Sequence, residues 1–531
     1  MLWIALHLPL LSLETFAATL VEPAPSEPEE GPPAASRALA LADAHCIVSA
    51  NSAARALGIK PGIKRATALA LAPQLTLGQA APARDAQALI AVAHAALAFT
   101  PHVVIEPPSA AQPGASPHTV LLEVQASLRY FGGLAALRRR LRAALAPLGH
   151  RLNMVSAATP LGAALLAREH RELDCVDLAA TRRALSAMPV WLLGPGRAHW
   201  EALQGMGLRT LADLKTVPRD GLARRFGELV LSEFDRALGQ RPDPREPLSL
   251  PPAFASRLEL FARADTGAQL LHGAAVLLER LVAWLSAQHA FVRRFRLVME
   301  HEKRSRRDAP GPSLTTLEIA LAEPSRDSAH LLMLLRERLA PLQLPAPTLE
   351  LALQADDIAK RAPPNAELFP TPASELEGLT RLIERLQARL GGAQVLRMAQ
   401  VPEHRPELAT AWREADAQMR PSRAGSAGAG FRAASPRDPD ERRLSQPVRP
   451  VWLMQQPEPL TERAEGPLLD GQPLQFLSGP ERIETGWGDA ALVERDYYIA
   501  QQPGGALVWV YRARLPVAAQ TPCWFLQGRF G

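Results

Sequence analysis

Cysteine is scarce in this chain: Cys46, Cys175 and Cys523 are the only three in 531 residues. Thiols so few and so scattered exclude a disulfide framework and a thiolate metal site, and they suit a reducing compartment. Basic residues are missing from the opening stretch, where no Lys or Arg precedes Arg37. A secretory signal needs a basic n-region, so MLWIALHLPLLSLETF is not read as one. His7, Pro9 and Glu14 interrupt its apolar run well short of the roughly 20 residues that cross a bilayer. The stretch is expected to form a soluble core strand. No long apolar run is evident further on, so membrane insertion is not expected and the chain is expected in the cytoplasm.

What is present is length and arginine. The 531 residues exceed what one core usually serves, so several domains are expected. The formal charge of +5 comes mostly from Arg, the better bidentate ligand for phosphate. A nucleic-acid partner is compatible with that excess without being required by it, because an Ala-, Pro- and Arg-rich composition gives the same balance.

Punctuation divides the chain. EPAPSEPEEGPPAAS is a Pro/Glu-rich loop. CIVSANSAARALGIKPGIKRATALALAPQL reads as a strand, a helix through Ser52 to Leu57, a Gly58 stop, a tight turn and a second helix. Helical spacing resumes in DAQALIAVAHAALAFTP, and the alternating segments HVVIEP and HTVLLEVQ read as paired strands. LAALRRRLRAALAPLG is an amphipathic helix whose Arg138, Arg139, Arg140 and Arg142 read as a solvated face. An all-helical stretch runs from about Leu185 to Gly239, and an α+β unit begins near Pro251. QMRPSRAGSAGAGFRAASPRDPDERRLSQP is too polar to fold by itself, and the aromatic-rich tail beyond it returns to short strands.

Two segments carry candidate phosphate chemistry. GMGLRT, between a helix and LADLKTVP, has the pattern of a helix-hairpin-helix. Gly205 and Gly207 permit close approach, and N–H groups around Arg209 and Thr210 at the second helix's start can hold a backbone phosphate without reading sequence. A tight turn between packed helices accounts for the same residues. In FVRRFRLVMEHEKRSRR, alternation puts Arg294 and Arg296 on one strand face and Arg293 on the other, with Arg304, Arg306 and Arg307 in the following turn. That face either tracks phosphates or is simply solvated.

The order of these parts resembles the Y-family (DinB/UmuC-like) translesion DNA polymerases over roughly residues 1 to 365. S-x-A-R-x-x-G-I-x-x-G-I at Ser52 to Ile63 and L-E-V...FGG at Leu122 to Gly133 are its most specific pieces. GPERIETGWGD at Gly479, RDYYIA at Arg495, WVYR at Trp509 and WFLQGRFG at Trp524 look like the C-terminal region of the diverged ImuB-type branch. The resemblance implies an α+β multidomain fold with a palm at 1–170, interrupted by a fingers insert at about 21–85. A helical thumb at 171–245 and a little finger-like domain at 250–362 would follow. A clamp-binding peptide with a helical extension at 363–415, a disordered linker at 416–447 and a partner-binding region at 448–531 would complete the chain.

The same resemblance implies that polymerase chemistry is absent. Nucleotidyl transfer needs two Mg²⁺ ions held by palm carboxylates. Laid on the family pattern, Ala5 stands at the first metal-binding Asp, His7 at the second Asp and Leu10 at the aromatic steric gate. His118 and Thr119 stand at the catalytic Asp-Glu pair. Arg55 keeps the fingers arginine, Ser52 replaces its companion tyrosine, and Pro160 stands where a phosphate-binding lysine belongs. His7 with His118 lacks a third ligand, so neither metal nor cofactor is expected. The alternative, an active polymerase with displaced ligands, requires Glu14 and Glu123 to converge.

Binding would then be the function. NAELF resembles a sliding-clamp-binding peptide, with Asn365 and Glu367 as its polar part and Leu368 and Phe369 as its anchors. QPLQFL at Gln472 lacks the adjacent Leu-Phe pair. The implied partners are DNA, the clamp, an ImuA-like RecA-related protein and an error-prone C-family polymerase, in damage-induced mutagenesis. The tail aromatics Trp487, Tyr497, Tyr498, Trp509, Tyr511, Trp524 and Phe525 read as a small β core or as an interface.

Overall fold

The computed structural model describes residues 1–20, 37–107, 118–302, 312–360, 372–415, 449–464, 466–488, 492–514 and 523–530, with backbone only at 195–196 and 372–377. They form two compact units, Met1–Arg389 and Leu390–Gly531.

The chain enters as β1 (Trp3–His7) and turns through Pro9 into α1 (Leu11–Ala17), so the expected strand covers only the first half of the opening. Strand alternation sends Ile4 and Leu6 into one apolar cluster and Trp3 and Ala5 into another. A small sheet follows, built from β2 (Leu39–Ala42), β3 (Ile47–Ala50) and, after α2 (Ser52–Ala56) and α3 (Arg65–Leu71), β4 (Thr76–Gln79), in the order β3-β2-β4. Asn51 caps α2 by accepting from the Ala54 N–H, and Gly58 closes it at φ +86°.

From α4 (Pro82–Leu97) the chain returns through β5 (Val103–Ile105) and β6 (Thr119–Glu123). The one-turn α5 (Leu128–Phe131) and α6 (Leu134–Leu145) lead to β7 (Asn153–Ala157), and α7 (Pro160–Glu169) leads to β8 (Glu172–Asp174). The sheet order β5-β6-β1-β7-β8 puts β1 at the centre. Helices α4 and α6 bury the Ile4 and Leu6 face, while α7 lies on the Trp3 and Ala5 face. Every α7 residue from Pro160 to Ala167 is buried, because the helix is covered on its other side as well. That cover is the helical set α8 (Leu178–Ser186), α9 (Gly194–Ala198), α10 (Trp200–Gly205), α11 (Arg219–Phe226) and α12 (Glu228–Ala237), which shares one apolar cluster with Ala5. The helical α6 stripe is not uniformly solvated: Arg138 is buried, donating to the Met154 carbonyl and pairing with Asp174.

The α+β unit contains β9 (Phe254–Ala264), α13 (Gly267–Ala287), β10 (Ala290–His301), β11 (Leu314–Ser325), α14 (Ser328–Leu339) and β12 (Thr348–Lys360), with strand order β11-β10-β12-β9. Helix α13 corrects the expectation of no long apolar run, since by length and composition it could cross a membrane. Its apolar residues, among them Leu277, Leu281 and Trp284, are packed in this unit's core. Helix α15 (Pro372–Leu390), expected as part of a separate extension, docks on the same unit: buried Glu384 pairs with His330 at 2.9 Å and accepts the Ala322 N–H at 2.6 Å.

The second unit opens with a two-stranded ribbon, β13 (Leu396–Gln400) and β14 (Thr410–Glu414). Then β15 (Trp452–Arg463), β16 (Gly466–Leu469), β17 (Gln472–Pro473), β18 (Gln475–Thr485), β19 (Val493–Gln501), β20 (Leu507–Ala513) and β21 (Trp524–Arg529) make a seven-stranded sheet ordered β17-β16-β15-β21-β20-β19-β18. Tyr497 stacks on Trp509 at 4.1 Å and Tyr511 on Phe525 at 5.1 Å. Those aromatics, with Trp524, are core residues, whereas Trp487 is 77% exposed.

Candidate palm site and nucleic-acid contacts

Register places the suspected palm positions in two cross-strand rows. Ala5 lies opposite Leu121 on β6 and Val155 on β7; His7 lies opposite Thr119 and Asn153. Ala5 is fully buried in the apolar cluster shared with α7 and the helices beyond it. The His7 row is polar instead: the His7 Nδ1 and Thr119 Oγ1 atoms are 3.1 Å apart. Among the described residues no group of three or more His, Cys, Asp or Glu side chains is arranged to hold a metal ion.

Glu14 and Glu123 do not converge. Glu14 leaves from α1, beyond the His7 end of β1, and accepts the Arg151 N–H at 3.2 Å. His150 lies 3.3 Å from its other oxygen. Glu123 pairs in register with Trp3, and Thr119 with His7, so about 13 Å of strand separates Glu123 from the His7 row. Sequence reasoning missed two other carboxylates. Glu106 donates its N–H to the Thr119 carbonyl at 2.9 Å, which puts it in the His7 row, and it is held by Arg168 of α7 at 3.0 Å. Asp85 of α4 is buried, accepts from Thr15 at 2.8 Å and from Ser12, and faces the His118 Nε2 at 3.7 Å. Burial lowers the His118 pKa from its ordinary value, and the Asp85 charge opposes that shift. These contacts tie α1, α4 and β6 together, and only the three-dimensional path of α4 could have revealed them.

Of the four residues expected to meet a nucleotide, Leu10 and Pro160 are taken up by packing, while Ser52 and Arg55 on α2 are exposed. Leu10 packs with the apolar group around Leu13, Phe16 and Leu41 at the base of the small sheet. Pro160 is buried at the first turn of α7, capped by Thr159, which accepts the Gly162 N–H at 3.2 Å and donates to the Ala237 carbonyl at 2.7 Å. A carbonyl oxygen at that helix start repels a phosphate.

In the hairpin, Gly205 ends α10 and Gly207 turns at φ +81°, as its role in a tight turn requires. The N–H groups expected to be free are not: Asp213 accepts those of Arg209 and Thr210 at 2.9 and 2.8 Å. These bonds hold the half-buried Asp213 carboxyl below its ordinary pKa. The element that follows is a 3-10 turn, Asp213–Thr216, in place of a full second helix. Arg209 keeps an exposed side chain and Thr210 a half-buried one.

Arg294 and Arg296 project from the solvent face of β10, as alternation required. Acids from both neighbouring strands meet them there. Arg294 pairs with Asp357 at 3.2 Å and Glu318 at 3.6 Å, and Arg296 with Glu318 at 3.0 Å. Arg293 is exposed rather than turned to the core, because the register shifts between Val292 and Arg294. Arg304, Arg306, Arg307 and the whole peptide Asn365, Glu367, Leu368 and Phe369 lie outside the described residues, as does the 416–447 linker.

No family model matches the chain. Protein ImuB of Caulobacter vibrioides is 28% identical over 500 residues, spanning 90% of this chain and the whole of that protein, in both strain NA1000 / CB15N and strain ATCC 19089 / CIP 103742 / CB 15. Among solved structures, DinB from Sulfolobus solfataricus matches with a TM-score of 0.36 at 15% identity, covering 67% of this chain and 99% of that one. A Dbh ternary complex matches with a TM-score of 0.37 at 14% identity over the same shares.

Proposed function

We propose that this chain, an ImuB-type homologue of the Y-family DNA polymerases, is a noncatalytic adaptor in damage-induced mutagenesis and translesion synthesis. It would join DNA, the sliding clamp, an ImuA-like RecA-related protein and an error-prone C-family polymerase, which performs the synthesis. The observation that carries the reading is the palm row itself. Ala5 is sealed among apolar residues where a metal-binding carboxylate would have to face DNA, and His7 is joined to Thr119 beside it. The match to Protein ImuB along nearly the whole chain supports assigning the remaining roles together.

Two experiments test it. Primer extension by the purified chain on a damaged template with Mg²⁺ should give no incorporation; robust synthesis restores the active-polymerase reading. Leu368→Ala combined with Phe369→Ala should abolish clamp binding and leave DNA binding intact, because an apolar pair supplies most of the energy of so short a peptide. Unchanged clamp affinity would move that contact elsewhere.

A further inference from the structure

Beside one open aromatic ring, several exposed arginines of the α5–α6 segment carry no ion pair among the described residues. Tyr130, on the one-turn α5, is 84% exposed. It meets Phe131 edge-on at 4.9 Å, and Phe131 in turn lies 5.2 Å from Phe99. The tyrosine ring is therefore braced from beneath and open above. Arg140 of α6 reaches back over Phe131 at 5.8 Å, as helical side chains lean towards their N-terminus. Arg129 and Arg139 are exposed beside these residues in the chain. None of Arg129, Arg139 and Arg140 has an ion-pair partner among the described residues, whereas Arg142 on the same helix pairs with Glu172 and Arg138 with Asp174. The nearest acid in sequence, Glu123, accepts the Gln125 N–H at 3.2 Å.

We propose that Arg129, Tyr130, Arg139 and Arg140 form a sequence-independent binding site for single-stranded nucleic acid, with a base stacked on Tyr130 and phosphates on the arginines. An open aromatic face among uncompensated guanidinium groups is the combination that binds a strand by stacking and charge. The β10 arginines would first have to leave their carboxylates, and these would not. The site follows β6 at its Glu123 end, opposite His118 and Thr119, and α6 covers the sheet face opposite Ala5. It is thus separate from the palm row and from the thumb hairpin.

The test uses the full chain, a fluorescein-labelled oligothymidylate and anisotropy titrations across a salt series. Tyr130→Ala should weaken binding about tenfold, and Tyr130→Phe should restore it, since stacking needs the ring and not the hydroxyl. Arg139→Ala with Arg140→Ala should flatten the slope of log affinity against log salt by about 1.4, two phosphate contacts on a single strand. Affinity for a blunt duplex should change in none of them. Oligonucleotides carrying 5-bromodeoxyuridine should crosslink to the tryptic peptide 130–138. Unchanged oligothymidylate affinity with an unchanged salt slope overturns the proposal and leaves the patch to an acidic protein partner. Equal losses on duplex and single strand also overturn it, because the residues would then belong to a general DNA face.

Discussion

If Ala5 faces a closed core, as the proposed function holds, a carboxylate placed there should damage the fold without bringing polymerase chemistry. In Ala5→Asp the new side chain enters a fully buried position between Leu121 and Val155, under α7, with no described donor or cation assigned to it. Burial of an unpaired carboxyl raises its pKa by about 3 units, which corresponds to roughly 4 kcal/mol lost at pH 7. Added volume in a filled core contributes about 1 to 3 kcal/mol more. The sign fixes the pH dependence. With the folded-state pKa raised from about 3.9 to about 7, the charge-related loss is absent below pH 4 and grows to its full value as pH rises to 7. Urea unfolding of the variant at pH 4.5 and pH 7 should therefore give a larger deficit at pH 7, and Ala5→Asn should show a deficit that does not change between them. Mg²⁺ should not rescue either variant. A variant as stable as its parent at pH 7, and above all one that gains Mg²⁺-dependent primer extension, would refute the view that Ala5 faces a closed core.

Other positions give independent checks. His94 on α4 is buried with its pKa pushed down to about 4, so the unfolded chain binds the extra proton between pH 6.5 and 4. Stability should fall by about 3 kcal/mol as pH drops through that window, and His94→Gln should remove that slope from urea midpoints. Gly78→Ala places a Cβ into the Phe16 ring, which itself meets Phe261 edge-on at 5.1 Å. It should cost about 1 to 3 kcal/mol of stability in denaturant melts. Asp213→Ala uncaps the Arg209 and Thr210 N–H groups, so it should loosen the hairpin, seen as faster hydrogen exchange at those two amides. Because the Asp213 pKa is lowered, the parent's protection there should persist above the ordinary aspartate range and be lost only as pH falls below it.

The sequence made local features readable and left long-range compensation hidden. A short, interrupted apolar run located β1, apolar alternation located β5 and β6, and Gly58 marked the end of α2, because strands and helix stops depend on neighbours in the chain. The fate of the candidate DNA contacts depended on residues far away. Arg296 meets an acid 22 positions along and Arg294 one 63 positions along, so a run of arginines that reads as basic is locally neutral once β11 and β12 flank β10. Asp213, only three residues from Thr210, was close enough to be seen. It was missed because an Asx-type cap and a vacant phosphate cradle share the same glycine-rich signature.

That difference decides how DNA contacts should be sought in this chain. Counting arginines weights β10 most heavily, but a guanidinium already facing two carboxylates gains little from exchanging them for a phosphate. Among the described residues, Arg129, Arg139 and Arg140 have no such exchange to make. If electrostatic binding follows uncompensated charge, charge reversal on α6 should alter the salt dependence of single-strand binding more than Arg294→Ala with Arg296→Ala does. The reverse ranking, measured on the same oligothymidylate, would mean that the β10 ion pairs open in the complex and that Glu318 and Asp357 hold those arginines in position for DNA.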